Sequence, residues 1–449
     1  MKEQFEIAYF SAEIGISSSI PTYSGGLGVL AGDHIKAAGD KSINMCAITL
    51  LYREGYFKQR VDEEGIQTET YPRFDPEPLI KQLDLNFGIR LKNRDVFIQV
   101  YKYDYIGESG SRVPIYFLDT DFEKNQENDK NITRRLYSGD KDHRILQEAI
   151  LGFGGIKLLQ KLKQNSIKTF HMNEGHCSFL VLGLLNQYNG DIEKVRSSCH
   201  FTTHTPVPAG HDHFSLKRVE DILGNMIPEN LELPSIKNKK RLHMTELGLK
   251  YSRSANGVSI LHGNVAQNQF PWTPISYITN GVHHSYWMGG TFRNIFDTFL
   301  PEWRTNPDKL LEIDKVPDNI LLQAHQERKR DLLAYTNSQT GKILDSETLT
   351  IGFARRSATY KRAQLLFYNL ERLRELGHKK TLVPKEEIQS EIGTDFYFGG
   401  LSDEVSGGLQ PAKYIDGLAK VCANIGVQLF ENNRVNSIKK VGDLYEVVT

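Results

Sequence analysis

Four cations stand close together in "FARRSATYKR": Arg355, Arg356, Lys361 and Arg362. Guanidinium groups suit bidentate contact with phosphate and an ammonium adds a compact point charge, so the run fits an anion site as readily as a solvated charged face. A second stretch, "SGGLGVLAGDHIKAAGD" from residue 24, offers a complementary device. Gly25, Gly26 and Gly28 let the backbone approach a ligand, and the helix after them presents unpaired N–H groups to an anion. Gly26, Gly28 and Ala31 also satisfy G-x-G-x-x-A. The turn-rich "SSSIPTYS" precedes them, however, and no strand feeds into the glycines, which argues against a dinucleotide fingerprint.

Polar strand ends supply the other candidates. "HMNEGHCSFL" carries His171, Asn173, Glu174 and His176 where a strand passes into a helix. That spacing does not put both imidazoles on one helical face, so it suits a ligand cleft better than a metal. "HFTTHTPVPAGHDHF" holds His200, His204, His211 and His213; its strand points His204 to the cleft side and its prolines fix the path of the loop. A proline-rich connection with surface histidines is the plainer alternative. "SANGVSILHGNV" and "ITNGVHHSYW" contribute His262, Asn280, His283 and Trp287, groups of the kind that bind sugar hydroxyls and ring faces.

To position such groups the chain alternates short strands ("EIAYFS", "CAITLLY", "FIQVYKY", "VPIYFL", "KTFHMN", "SCHFTTH") with helical patterns, which predicts an α/β fold with a largely parallel sheet. "HRILQEAILGFGGIKLLQKL" is a clear helix, with Ile145, Leu146, Ala149, Ile150 and Phe153 in one apolar stripe. The passage from Pro228 to Lys240 reads as a surface excursion. Near residue 346 the pattern restarts, with "ETLTIGFA" as a strand and "AQLLFYNLERLREL" as a helix.

The 449 residues, 39% of them apolar, are enough for two or three domains, and 55 basic residues balance 55 acidic ones. That balance disfavours a nucleic-acid partner held by counterion release. Charges at Lys2, Glu3 and Glu6 and the lack of a long apolar run point to a cytoplasmic protein without a membrane segment. The scattered Cys46, Cys177, Cys199 and Cys422 indicate neither a disulfide framework nor a thiolate metal site.

In this order, "AYFSAEIGISSSIPTYSGGLGVLAGDHIKAAGD", "LLYREGYFKQ", "HMNEGHCSFL", "FTTHTPVPAGHD", "NGVSILHG", "ITNGVHHSYW" and "IGFARRSATYKRAQLLF" resemble the α-glucan phosphorylase family of glycogen, starch and maltodextrin phosphorylases, from about residue 6 to 378. The resemblance implies a GT-B-like architecture: a Rossmann-type N-terminal lobe over 1–345 and the first strand and helix of a second lobe over 346–378. It implies a glycosyltransferase that passes glucosyl units from α-glucan to orthophosphate and releases glucose 1-phosphate, with room for homo-oligomers. Gly25, Gly26 and Leu27 would form the glycine loop beside the phosphate, His204 would lie at the glucosyl site, Asn280 would hold a sugar hydroxyl, and Arg356 and Lys361 would hold the attacking phosphate. Phosphate then supplies both negative charge and a proton, so no carboxylate pair is required.

The implied cofactor is pyridoxal phosphate, but the family's cofactor-lysine motif is absent from this sequence and no lysine can be nominated. After "LERLRELG" the likeness changes. "GGLSDEVSGGLQPAKYIDGLAKVCANIGVQLFENNRVNSI" is similar to FAD-dependent D-amino-acid and glycine oxidases, which implies a short α+β fragment over 379–449 with a flavin-adenine contact near Val435. That family's N-terminal dinucleotide fingerprint is missing, so FAD is not expected. The junction reads as a fusion of two enzyme fragments, incomplete for phosphorolysis. A glucan-binding protein without catalysis is the alternative, and an FAD-dependent oxidase fragment a more remote one.

Overall fold

Side-chain alternation fixes the layers around the central strand. In "IAYFS", Ala8 and Phe10 enter one core while Tyr9 enters the other; in "MCAITL", Cys46, Ile48 and Leu50 part from Met45 and Ala47 in the same way. A sheet apolar on both faces must be covered twice, as parallel sheets are. The computed structural model describes residues 3–61, 66–228, 231, 233–341, 343–348, 350 and 352, together with the strands Lys380–Pro384, Gly399–Asp403, Ser437–Val441 and Leu444–Val448. These divide into two units, Met1–Arg60 with Gln67–Ala324, and Val61–Ile66 with His325–Thr449.

The first unit is an α/β structure built on nine strands: β1 (Ile7–Ser11), β2 (Met45–Leu50), β3 (Lys81–Leu91), β4 (Arg94–Ile106), β5 (Arg112–Asp119), β6 (Thr169–Asn173), β7 (Cys199–Thr202), β8 (Ser254–Gly257) and β9 (Ser276–Tyr277). Their order is β9-β8-β7-β6-β1-β2-β5-β4-β3. Neighbours from β9 through to β5 are parallel, and β4 and β3 add an antiparallel edge. The chain builds outward from β1 through β2 on one side, then crosses back to build β6, β7, β8 and β9 on the other. The switch of direction lies between β1 and β6, where open α/β sheets leave a crevice beyond the carboxyl ends of their strands.

Helix α1 (Gly26–Asp40) packs Ala31, Ile35 and Ala38 on the Tyr9 face. The opposite face is covered by the run from Lys141 to Lys161, whose stripe Ile145, Leu146, Ala149, Ile150 and Phe153 is buried as its spacing requires. This run is not one regular helix: a π-helical stretch, Ile150–Gly154, interrupts it. Glycines permit the close fit there, since a Cβ on Gly155 would sit 2.3 Å from the Phe10 ring.

The passage from Pro228 to Lys240 differs from a pure surface excursion. Leu231 and Leu233 are buried and a short helix, Pro234–Lys239, follows, because two leucines suffice to pin an otherwise polar stretch to the core.

In the second unit, Lys380–Pro384 pairs antiparallel with Gly399–Asp403, and Ser437–Val441 with Leu444–Val448. The basic turn with Arg355, Arg356, Lys361 and Arg362, half of "ETLTIGFA", the helix expected after it, and Cys422 and Val435 lie outside the described residues. Among the described residues, no helix is long and apolar enough to cross a membrane.

Candidate functional site at the carboxyl edge of the sheet

Strand register places one polar row along the carboxyl edge: Ser11 of β1 lies beside Asn173 of β6, Asn173 beside Thr202 of β7, and Thr202 beside Asn256 of β8. The loops that leave this edge carry the candidate residues: the glycine loop lies between β1 and α1, Glu174 follows β6, His204 follows β7, His262 follows β8, and Asn280 follows the neighbouring strand β9.

Gly25 and Gly26 are open in a way the other glycines of this stretch are not. A Cβ built on either would meet nothing within 4 Å, whereas on Gly28 it would come 2.5 Å from Cβ of Tyr23 and on Gly32 2.1 Å from the Gly15 carbonyl oxygen. Gly28 and Gly32 are therefore required by packing. The first-turn N–H groups of Gly26 and Leu27 have no partner within the helix. Those of Ser24 and Gly25 are taken: both donate to Oε2 of Glu13, at 2.8 and 3.4 Å. No strand runs directly into the glycines, since β1 ends at Ser11.

A chain of hydrogen bonds runs from this loop to His204. Ser11 Oγ donates to the Glu13 carbonyl at 2.6 Å, so it can accept from Asn173 Nδ2 at 3.0 Å. That fixes the Asn173 amide and leaves its Oδ1 to accept from His204 Nε2 at 2.6 Å. His204 accordingly carries its proton on Nε2, with Nδ1 left as an acceptor. Burial lowers its pKa, which keeps the ring neutral.

Glu174 fixes the backbone of the same loop. Its Oε2 accepts from the N–H groups of His204 and Thr205 at 2.7 and 3.0 Å and from the Thr205 hydroxyl at 3.0 Å. Burial alone would raise this carboxyl; His204, His176 and the backbone donors outweigh it and hold the group below its ordinary range. The residue adopts φ 75°, ψ 168°, a conformation proper to glycine, so the anchor is strained as residues at functional sites often are.

A half-buried charge cluster closes the far end of the His204 loop. Asp212 Oδ2 accepts from Arg144 Nη2 at 2.6 Å and lies 3.3 Å from His176 Nε2. Burial opposes ionisation of Asp212, but His176 and Arg144 win and pull it to about 2. Glu148 goes the other way: burial and the Asp212 charge raise its pKa well above the usual range, so it remains protonated beside an ionised partner.

Asn280 is exposed, and its N–H donates to the Val258 carbonyl at 3.0 Å. The segment after it returns to α1. Trp287 Nε1 donates to Asp33 at 2.7 Å, His283 Nε2 lies 2.8 Å from Asp40 Oδ2, and Lys36 Nζ sits 3.9 Å over the Tyr286 ring. Asp33, Lys36 and Asp40 share one face of α1, so His283 and Trp287 serve as tethers. His262 accepts the Val258 N–H on Nδ1 at 3.2 Å, which leaves a buried Nε2–H without a partner.

The structure thus links Ser24 and Gly25, the entry to the glycine loop, to His204 through Glu13, Ser11 and Asn173, and ties the Asn280 segment to α1. Arg356 and Lys361 lie outside the described residues. Glu13, Ser11 and Tyr137 were not legible as site residues; Glu13 stands in "SAEIG" directly after β1, the one local signal available.

An open glycine loop and a buried histidine loop both leave the carboxyl edge of the parallel sheet near its switch point, where open α/β folds bind ligands. The chain is 36% identical to the maltodextrin phosphorylase of Thermococcus litoralis over 82% of its own length and 49% of that protein, and 34% identical to the glycogen phosphorylase of Mycobacterium tuberculosis with the same coverage. Over about four-fifths of its length the chain is therefore a glycogen and maltodextrin phosphorylase homologue, and it spans about half the length of these relatives. The FAD dependent oxidoreductase family matches residues 312–449, and 65 residues are 42% identical to the probable oxidoreductase OrdL of Haemophilus influenzae, 14% of this chain and 15% of that protein. This match begins upstream of the residue-379 junction read from the sequence.

Proposed function

We propose that the chain supplies the glucan-binding lobe of an α-1,4-glucan phosphorylase-type glycosyltransferase, the reaction being transfer of a glucosyl unit to orthophosphate with release of glucose 1-phosphate. The observation that carries this is the unbroken hydrogen-bond chain from the glycine loop through Glu13, Ser11 and Asn173 to His204. It gives anion-binding N–H groups and a sugar-binding imidazole one common frame.

In this reading the N–H groups of Gly26 and Leu27 face the phosphate, Nδ1 of His204 accepts from a sugar hydroxyl, and the side chain of Asn280 holds another. Glu174 acts through the backbone: by holding the N–H groups of His204 and Thr205 it aims the neighbouring carbonyl dipoles at the positive charge that develops on the sugar ring. Arg356 and Lys361 are proposed to bring the attacking orthophosphate, whose oxygen bonds to the anomeric carbon as the glycosidic oxygen leaves with a proton.

The family implies pyridoxal phosphate, which supplies a proton relay through its own phosphate when bound. The described residues do not fit it: Lys36, their buried lysine, donates to the Gly15 carbonyl at 3.3 Å and is covered by Tyr286. That misfit among the described residues favours a second reading, in which the lobe binds glucan without turning it over.

The full chain, maltoheptaose and inorganic phosphate, with and without added pyridoxal phosphate, decide between them. Release of glucose 1-phosphate supports the enzyme; maltoheptaose binding without release supports the binder; neither result abandons both. A yellow purified protein with flavin absorbance would instead favour the oxidoreductase resemblance.

A further inference from the structure

We propose that Tyr137 and Glu13 form a strut that positions the glycine loop, consuming two of its N–H groups so that the next two are presented to the anion. The inference rests on the reading of that loop as the phosphate side of the site.

Glu13 is boxed on three sides. Its Oε1 accepts the Tyr137 hydroxyl, its Oε2 accepts the N–H groups of Ser24 and Gly25, and Gly28 leaves it room, since a Cβ there would lie 2.9 Å from Oε2. Glu13 itself is buried, with 2% of its surface exposed. Tyr137, 37% of whose surface is exposed, is held by its backbone and its ring neighbours. It adopts the left-handed region at φ 53°, the Arg144 guanidinium lies 5.3 Å from its ring centre, and the His176 ring packs 5.9 Å away. Burial and the Glu13 charge push the Tyr137 pKa well above its ordinary value, so the phenol remains a donor at neutral pH.

The arrangement divides the loop's donors. A carboxylate placed against the start of a helix would ordinarily compete with a bound phosphate for the same N–H groups and repel it. Here it takes only Ser24 and Gly25, upstream of the helix, while Gly26 and Leu27 stay free at its first turn. Glu13 then orders the loop before the anion arrives. The two roles give opposite signs: a merely repulsive carboxylate weakens anion binding, and a positioning one strengthens it.

Amide hydrogen exchange of the 15N-labelled full chain separates them, with inorganic phosphate as the probe. In Tyr137→Phe, exchange at Ser24 and Gly25 should quicken about tenfold, the equivalent of one hydrogen bond lost, with Val96 and Ile98 of β4 unchanged. Glu13→Ala should quicken it further and lower phosphate affinity, and Glu13→Gln should restore part of both. Unchanged exchange in Tyr137→Phe and Glu13→Ala, or tighter phosphate binding in Glu13→Ala, would overturn the strut. Exchange that quickens as expected in the variants, while the wild-type Gly26 and Leu27 amides ignore phosphate, would keep the strut and sink the phosphate reading.

Discussion

Glu13 and Glu174 hold the two loops of the site by the same means. Each stands just past the end of a parallel strand, and each offers one oxygen to two consecutive backbone N–H groups and a hydroxyl, Ser24 and Gly25 in one case and His204 and Thr205 in the other. They differ in their second oxygen and in their backbone. Oε1 of Glu174 closes on the N–H of Gly175 at 2.9 Å, within a strained turn, whereas Oε1 of Glu13 reaches across to Tyr137 in a distant segment. The His204 loop is therefore locked by a local turn and the glycine loop through a tertiary contact, so the two should fail differently when broken.

Glu174→Ala is expected to have the largest effect. It strands four donors, the N–H groups of Gly175, His204 and Thr205 and the Thr205 hydroxyl, and removes the charge facing His204, at a cost on the order of 3–5 kcal/mol, read as a fall in Tm. Asp212→Asn comes next: Arg144 loses its close partner and unfolding should become easier by about 3 kcal/mol. Glu148→Gln sharpens that test, because a carboxyl already protonated is replaced by a neutral amide, and stability at pH 7 should move by less than about 1 kcal/mol.

The glycines make a finer contrast. Gly32→Ala drives a Cβ toward the Gly15 carbonyl 2.1 Å away, within α1's contact with the loop, and should cost about 1–3 kcal/mol. Gly25→Ala meets open space and should change stability by under about 0.5 kcal/mol while weakening phosphate binding.

The smallest effect is the pH dependence. His171, His200 and His204 all have pKa values lowered by burial from 6.5. The unfolded chain then binds more protons than the folded one below that value, so stability should rise with pH across the window beneath 6.5 and level off above it, as thermal melts at stepped pH would show. Asp212 adds a contribution that is present above 3.8 and lost as pH falls through about 2.

Much of the sheet was legible because apolar alternation and strand length are local properties: "EIAYFS" and "KTFHMN" announce themselves and land side by side as β1 and β6. The loops that carry Gly25, Gly26, Leu27, His204 and Asn280 could be marked by residue type. What held them could not, since Tyr137 meets Glu13 across 124 positions and Asp212 meets Arg144 across 68, pairings that no spacing rule reports. The two leucines of the 228–240 passage escaped for a related reason: two apolar residues make no periodic pattern.

The central claim is that the glycine loop and His204 form one site. Titrating the full chain with glucose 1-phosphate, a probe with a phosphate at one end and a sugar at the other, tests it through the Leu27 amide and the His204 imidazole. The account calls for both signals to shift with one shared midpoint. Different midpoints, or a shift at neither, would contradict it.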